Sequence, residues 1–362
     1  MIANNTALLK ELESRRREIQ AYLNRSEYTK RFKSDHLQSA IYSYINQGGK
    51  SLRPVILMLS CGAVGGEEHT ALPAAAAIEL YHTWTLVHDD LIDRDDKRRG
   101  TPTVHSDFAA RAMAEMGYRA KEAEHYGLSV AVLTGDIQHA WSISLFTELT
   151  KYHVNAELTL ALIADLSGRV AASLIEGEML DVQYASWPIE KIEESFIIDM
   201  LWKKTGILYD FAGQAGAAIG RGDTSLQDAM VRSIAAFWGR CGTAFQLQDD
   251  ILGIVGDESQ LGKPVGSDLR EGKRTTIVLR AFKEANAAQS AILEKTLGNQ
   301  NATDEDIAAA TALLSDLGGI SYTKDLARQY VQEAAFYLNA IPPSHHKDLL
   351  MLLAEYMVER EF

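Results

Sequence analysis

The chain has 362 residues, 46% of them apolar and 23% charged, a globular balance with enough length for a sizeable core. Acidic residues outnumber basic ones 49 to 36, for a net charge of −13, which argues against a nucleic-acid partner. An acidic protein that binds an anion must concentrate positive charge locally or recruit cations.

The N-terminus runs into the charged stretch Lys10 to Arg17 with no apolar signal-like region, and no apolar run is read as reaching membrane-spanning length. Cys61 and Cys241 lie in apolar or small-residue stretches without metal-ligand spacing, and read as buried free thiols. A cytoplasmic protein without a membrane span is the expectation. Of seven prolines, none falls between Pro102 and Pro188. Proline-free stretches rich in Ala, Leu, Glu and Lys favour long helices. Leu158, Leu162, Ile163, Leu166, Val170, Leu174 and Ile175 recur at helical spacing, whereas strand-like alternation is scarce. The spacing predicts an all-α protein of roughly ten or more helices.

In chain order, the first feature is Gly48-Gly49-Lys50-Ser51-Leu52-Arg53-Pro54, read as a turn entering a helix with Pro54 at its first position. Its backbone donors, Lys50 and Arg53 suit a diphosphate, although the tract lacks P-loop spacing. His82 follows, two helical turns before Asp89. It reads either as a core histidine or as a donor to a second anion. Next comes Leu86-Val87-His88-Asp89-Asp90-Leu91-Ile92-Asp93-Arg94-Asp95-Asp96-Lys97-Arg98-Arg99-Gly100. On a helix Asp89 and Asp93 share a face one turn apart. Such carboxylates can hold Mg²⁺ while leaving positions for phosphate oxygens. The competing reading is a solvated helix face on which Asp93 pairs with Lys97 and Asp95 with Arg99.

Lys203-Lys204-Thr205-Gly206 supplies more cations. Phe245-Gln246-Leu247-Gln248-Asp249-Asp250-Ile251-Leu252-Gly253 then repeats the pattern of an acidic pair after an apolar helical run, with Lys263 and Lys273 behind it. Two such pairs tip the balance toward function, because unpaired carboxylates against a core are costly unless cations neutralise them. The tract from Gly298 to Asp306 reads as a surface loop entering a helix with Thr303 as N-cap. His88, His105 and His139 show no ligand grouping.

Together these motifs resemble the trans-isoprenyl diphosphate synthases, the polyprenyl synthetase family. The likeness runs from about Gly48 to the C-terminus, on GGKSLRP, HDDLIDRDDKRRGTP, KKTG and FQLQDDILGIVGDESQLGKPVGSDLREGK. It implies a single domain over residues 1–362, an all-α helical bundle of the isoprenoid synthase type around a central active-site cavity, and a homodimer. It implies that Asp89, Asp90 and Asp93 form a first Mg²⁺ motif, with Asp249 and Asp250 as the second. It implies that Arg98, Lys204, Thr205, Gln246, Lys263 and Lys273 hold an allylic diphosphate (dimethylallyl, geranyl or farnesyl). Lys50, Arg53, His82 and Arg99 resemble the set that holds isopentenyl diphosphate. Two positions depart from the family pattern. Gly253 stands where a third aspartate is usual, and Glu178, near Asp181, stands where many relatives carry Gln.

The expected chemistry is ionisation of the allylic C–O bond followed by attack of the isopentenyl double bond, with charge on the leaving diphosphate stabilised by metal and cations. Tyr81, Trp84 and Thr85 precede Asp89 and are expected to set product length. The aromatic Trp84 beside a small residue resembles geranylgeranyl diphosphate synthases, with farnesyl diphosphate next. A class I terpene cyclase is the alternative enzyme, against which the second cationic set argues. A non-catalytic subunit of a heteromeric prenyl synthase is the alternative of a different class.

Overall fold

The computed structural model describes residues 2–222, 225–256 and 266–359. They divide into two compact units. Unit 1 takes Met1–Asp165, Ala212–Arg232 and Pro342–Leu349; unit 2 takes Leu166–Phe211, Ser233–Ile341 and Leu350–Phe362.

Unit 1 begins with α1 (Ile2–Leu23), the short α2 (Ser26–Thr29), α3 (Asp35–Gln47) and α4 (Leu52–Ala63), followed by α5 (Leu72–Ile92), α6 (Val104–Met116), α7 (Ala120–Phe146) and α8 (Ala156–Asp165). Helix α5 is apolar on nearly every side, and Ala74 to Ile78, Leu80, Tyr81, Trp84 and Val87 are all buried. A helix of that composition must sit inside its unit. Val87 joins Ala40, Tyr44, Val104, Phe108, Val130 and Ala131 in one core cluster, so α5 is held between α3, α6 and α7. Helix α1 is fastened by Arg15, whose guanidinium bonds both Glu68 oxygens at 2.6 Å; His346 Nε2 lies 2.7 Å from the same carboxylate.

Helix α5 ends at Ile92, with Asp93 as its C-cap. Arg94 and Arg99 have φ of 59° and 53° and Gly100 of 76°, backbone that no helix continues through. Lys97–Arg98 instead pairs antiparallel with Thr101–Pro102. The helical pairings of Asp93 with Lys97 and Asp95 with Arg99 therefore have no helix to form on. Helix α4 starts at Leu52, which makes Pro54 its third residue rather than its first. The first turn tolerates it all the same, because its N–H groups have no helical acceptor.

Unit 2 contains α9 (Ala171–Ala185), α10 (Glu194–Leu201), part of α11 (Ile207–Arg221) and most of α12 (Ala229–Val255). Beyond residue 265 come α13 (Ser267–Glu271), α14 (Thr276–Glu284), α15 (Ala287–Thr296), α16 (Asp304–Asp316) and α17 (Gly319–Ala334), and then α18 (His345–Glu359), which belongs to this unit from Leu350 onward. Ile251, Ile254, Leu269, Ile277, Val278, Leu293, Ile307 and Leu314 form a core around the end of α12. Thr303 is the N-cap of α16, in a capping box with Asp306, and both cysteines are buried and free, as the sequence reading expects.

Two π turns interrupt the helices, at Leu166–Val170 and at Trp202–Gly206. The first joins its neighbours into one 30-residue helical run, Ala156–Ala185, longer and more apolar than the sequence reading allowed. By length and composition alone it suffices to cross a membrane, with a third of its most apolar window buried in the protein. A core helix of a globular protein meets the same two criteria.

Candidate active site

The three aspartates of the first motif do not share one environment. Asp90 is 1% exposed. Its Oδ1 accepts from Arg98 Nε at 2.7 Å and pairs with Nη2 at 2.5 Å. Its Oδ2 accepts the Tyr44 hydroxyl, which in turn accepts the backbone N–H of Val104 at 3.3 Å. Burial and the adjoining Asp90 charge push the Tyr44 phenol far above its ordinary range. The hydrogen bond and charge of Asp90 raise Arg98 despite the opposing effect of burial. Asp90 is thus committed to fastening the hairpin and α3 onto α5. Asp89 and Asp93 are half-buried, one turn apart, with the Asp93 N–H bonded to the Asp89 carbonyl at 2.8 Å.

Among the described residues, no group of three or more His, Cys, Asp and Glu side chains encloses a metal by itself.

The cations of the GGKSLRP turn gather on the same unit. Gly48 (φ 75°) and Ser51 (φ 43°) bend the chain sharply, exposing Lys50 and aiming Arg53 back at α5. Arg53 Nη1 donates to His82 Nε2 at 3.1 Å. Burial, then Arg53, Arg99 and Arg98, hold His82 well below its ordinary pKa, so it is neutral. With Nε2 accepting from an arginine, only Nδ1 is left to carry the proton. Arg99 donates to the Gly48 carbonyl. Its guanidinium nitrogens lie 2.7 and 2.8 Å from where a Cβ on Gly49 would stand, so a side chain there would push the end of Arg99 aside.

Two members of this cluster escaped the sequence reading. Arg16 of α1 donates to the Gly49 carbonyl at 2.9 Å. Glu79, one turn before His82, accepts the Ser51 hydroxyl at 2.8 Å. Burial raises the Glu79 pKa, against Ser51, Arg99, Arg53 and Arg16.

Below Asp89 on α5, Tyr81 and Trp84 are buried, at 0% and 9% exposure. Their rings meet edge to face at 4.9 Å, and the Trp84 ring lies 4.4 Å from that of His139 on α7. Thr85 turns its hydroxyl back to the His82 carbonyl at 2.8 Å. Tyr81 and Trp84, expected to set product length, therefore form one ring cluster with a histidine to which the sequence reading gave no role.

The second group lies in unit 2. Helix α9 crosses the π turn of Lys203-Lys204-Thr205 so closely that a side chain at Gly177 would overlap the Lys204 backbone. Lys204 Nζ is held at 2.6 Å by Asp181 and at 2.8 Å by Glu178. The extra charge of Glu178 is thus matched by a lysine. Burial opposes it, but Lys204 and Lys273 hold Asp181 below the ordinary carboxylate range. Thr205 donates to Gln246 at 2.8 Å, and Gln246 donates to Asp250 Oδ1 at 3.1 Å. Asp250 is 7% exposed and, among the described residues, its Oδ2 has no hydrogen-bond partner. Burial, with Asp268 and Asp181 adding to it, pushes its pKa well above the ordinary value, against Gln246 and Lys273. A buried carboxylate with an unsatisfied oxygen beside two others is a site short of positive charge, and a divalent cation fits that deficit.

Lys273 pairs with Asp268 at 3.2 Å and Glu271 at 2.8 Å. A side chain at Gly253 would collide with Asp268 Oδ2, so a carboxylate from α13 stands over the position where the motif lacks its own. Nothing in the sequence spacing pointed to Asp268. Lys263 lies outside the described residues.

The family model described as Polyprenyl synthetase matches residues 34–314. A geranylgeranyl diphosphate synthase of Sulfolobus acidocaldarius is 35% identical, over 90% of this chain and 91% of its own. One from Methanosarcina mazei is 32% identical over 91% of each. The crystal structure of a geranylgeranyl pyrophosphate synthase from Corynebacterium glutamicum, complexed with isoprenyl diphosphate and magnesium, superposes with a TM-score of 0.84 at 27% identity, over 98% of this chain and 99% of that one.

Proposed function

This chain belongs to the polyprenyl synthetase family, and from that membership we propose that it condenses isopentenyl diphosphate with an allylic diphosphate to a short-chain trans-prenyl diphosphate. Geranylgeranyl diphosphate is the favoured product and farnesyl diphosphate the next. The observation that carries the reading is the arginine–histidine cluster of Arg53, His82 and Arg99 around the glycine turn, a second anion site that an enzyme using one substrate does not need. We further propose that residues 1–362 form a single synthase domain, that the enzyme is a cytoplasmic homodimer, and that its metal is Mg²⁺.

Asp89, Asp93, Asp249 and Asp250 would hold the metal ions, which supply Lewis-acid stabilisation of the departing diphosphate. Asp90, tied to Arg98 and Tyr44, positions the motif instead of ligating. Arg98, Lys204, Thr205, Gln246, Lys263 and Lys273 act on the allylic diphosphate. Their donors face charge that grows as the C–O bond breaks, so they stabilise the transition state more than the ground state. Lys50, Arg53, His82 and Arg99 orient isopentenyl diphosphate so that its double bond attacks at short range. The proton lost at the end passes to the released diphosphate. The site should exclude water, which would otherwise quench the cation. Glu178 and Asp181 keep Lys204 in place.

Incorporation of labelled isopentenyl diphosphate tests this reading. It is expected to require an allylic primer, to stop when the metal is chelated, and to resume when Mg²⁺ is restored; incorporation that survives chelation contradicts it. The floor assignment makes its own prediction. Trp84→Ala, with Tyr81→Ala where needed, opens the floor and shifts the product toward longer chains on chromatography. An unchanged distribution removes Trp84 from that role.

A further inference from the structure

Trp84 is held by more than packing. Its indole N–H donates to His88 Nδ1 at 3.1 Å, one helical turn along α5. An imidazole that accepts at Nδ1 carries its proton on Nε2, and that atom lies 3.4 Å from the Val132 carbonyl on α7. The ring also needs room, and Gly135 supplies it: any Cβ at that position would overlap the imidazole at Nε2, Cδ2 and Cε1. The Trp84 ring contacts both Tyr81 and His139, whose rings also meet each other at 5.5 Å. His88 therefore ties the indole to two helices through a defined tautomer, and glycine at 135 is what lets the tie reach α7.

We infer that His88 is a positioning residue for product length, fixing the Trp84 indole as a floor through Nδ1, with Gly135 providing its seat. The inference rests on the synthase reading above. An indole held by a hydrogen bond at its N–H and packed against the adjoining Tyr81 and His139 rings keeps one rotamer against the pressure of a growing chain. Without the bond, the ring can rotate about χ1 and χ2 and admit another isoprene unit. A histidine immediately before the metal-binding aspartates thus acts on how far elongation goes, apart from whether the C–O bond breaks.

The test compares product distributions, made with farnesyl diphosphate and excess isopentenyl diphosphate, for the wild-type enzyme, His88→Leu, His88→Asn, Trp84→Phe and Gly135→Ala. His88→Leu leaves the indole intact and removes only its acceptor. It is expected to raise the ratio of longer products to the wild-type main product about fivefold, the population change for a lost hydrogen bond of about 1 kcal/mol. Gly135→Ala, which displaces the imidazole, and Trp84→Phe, which removes the donor, are expected to shift the ratio the same way. His88→Asn, whose side-chain oxygen can replace Nδ1 as acceptor, is expected to stay within about twofold of wild type. A purely structural role would lower total turnover or melting temperature without moving the ratio. An unchanged ratio in His88→Leu overturns the inference and leaves the synthase reading intact. If His88→Leu yields too little product, the same result in Gly135→Ala decides. A wild-type chain that makes no prenyl diphosphate sinks both.

Discussion

Asp89→Ala and Asp90→Ala, adjacent in sequence, are expected to fail in different ways. Asp89 is half-buried and is proposed to hold the metal, so its loss should cut kcat on the order of 10²–10³-fold, the scale seen when one preorganised transition-state stabiliser is removed. Its effect on stability should stay within about 0.5 kcal/mol, as for substitutions outside the packed core. Asp90 is 1% exposed and holds Arg98, itself mostly buried, together with the Tyr44 hydroxyl. Removing one partner of a buried pair leaves an uncompensated charge and costs about 3–5 kcal/mol. Asp90→Ala should therefore lower the denaturant midpoint markedly, with turnover falling because the hairpin that carries Arg98 and Arg99 is no longer anchored. Denaturant melts and steady-state rates on the two variants check the split. Equal loss of stability in both would mean that Asp89 and Asp90 have the same role.

Restoring the family's usual aspartate at 253 is expected to harm the enzyme. From the sequence alone Gly253→Asp looks like a repair. In the structure the space is taken by the Asp268 carboxylate, which a Cβ at 253 would strike. Overpacking of this kind costs about 1–3 kcal/mol. The substitution also adds a negative charge where Asp250 is already pushed up by burial and by Asp268. Gly253→Asp should thus lose stability and turnover. Gly253→Asp combined with Asp268→Ala should recover part of both, giving a favourable coupling between two contacting positions. Purified single and double variants, compared by denaturant midpoint and kcat, settle it. A Gly253→Asp enzyme as stable as wild type and faster would show that the site lacks a carboxylate there after all.

These cases show where the sequence was legible. The all-α architecture follows from composition and helical spacing, which are local properties. The aspartate and lysine motifs stand out because their chemistry is written in consecutive residues. Their partners are not: Tyr44 reaches Asp90 across 46 positions and Arg16 reaches Gly49 across 33. No periodicity marks such long-range bonds. Reading α5 on past Asp93 failed because left-handed backbone at Arg94 and Arg99 is unusual for arginine and carries no residue signal beyond Gly100. His88 has no ligand spacing to mark it, because its bond is to an indole one turn back. Asp268 carries no comparable signal, because it approaches position 253 from a different helix.

The central claim is that this chain joins two diphosphates rather than rearranging one. Purified enzyme with Mg²⁺ and geranyl or farnesyl diphosphate, incubated with and without isopentenyl diphosphate and followed by chromatography of the products, tests it most directly. Longer prenyl diphosphates and released inorganic diphosphate are expected only when both substrates are present. Hydrocarbon formed from the allylic substrate alone, or no turnover with both, would contradict it.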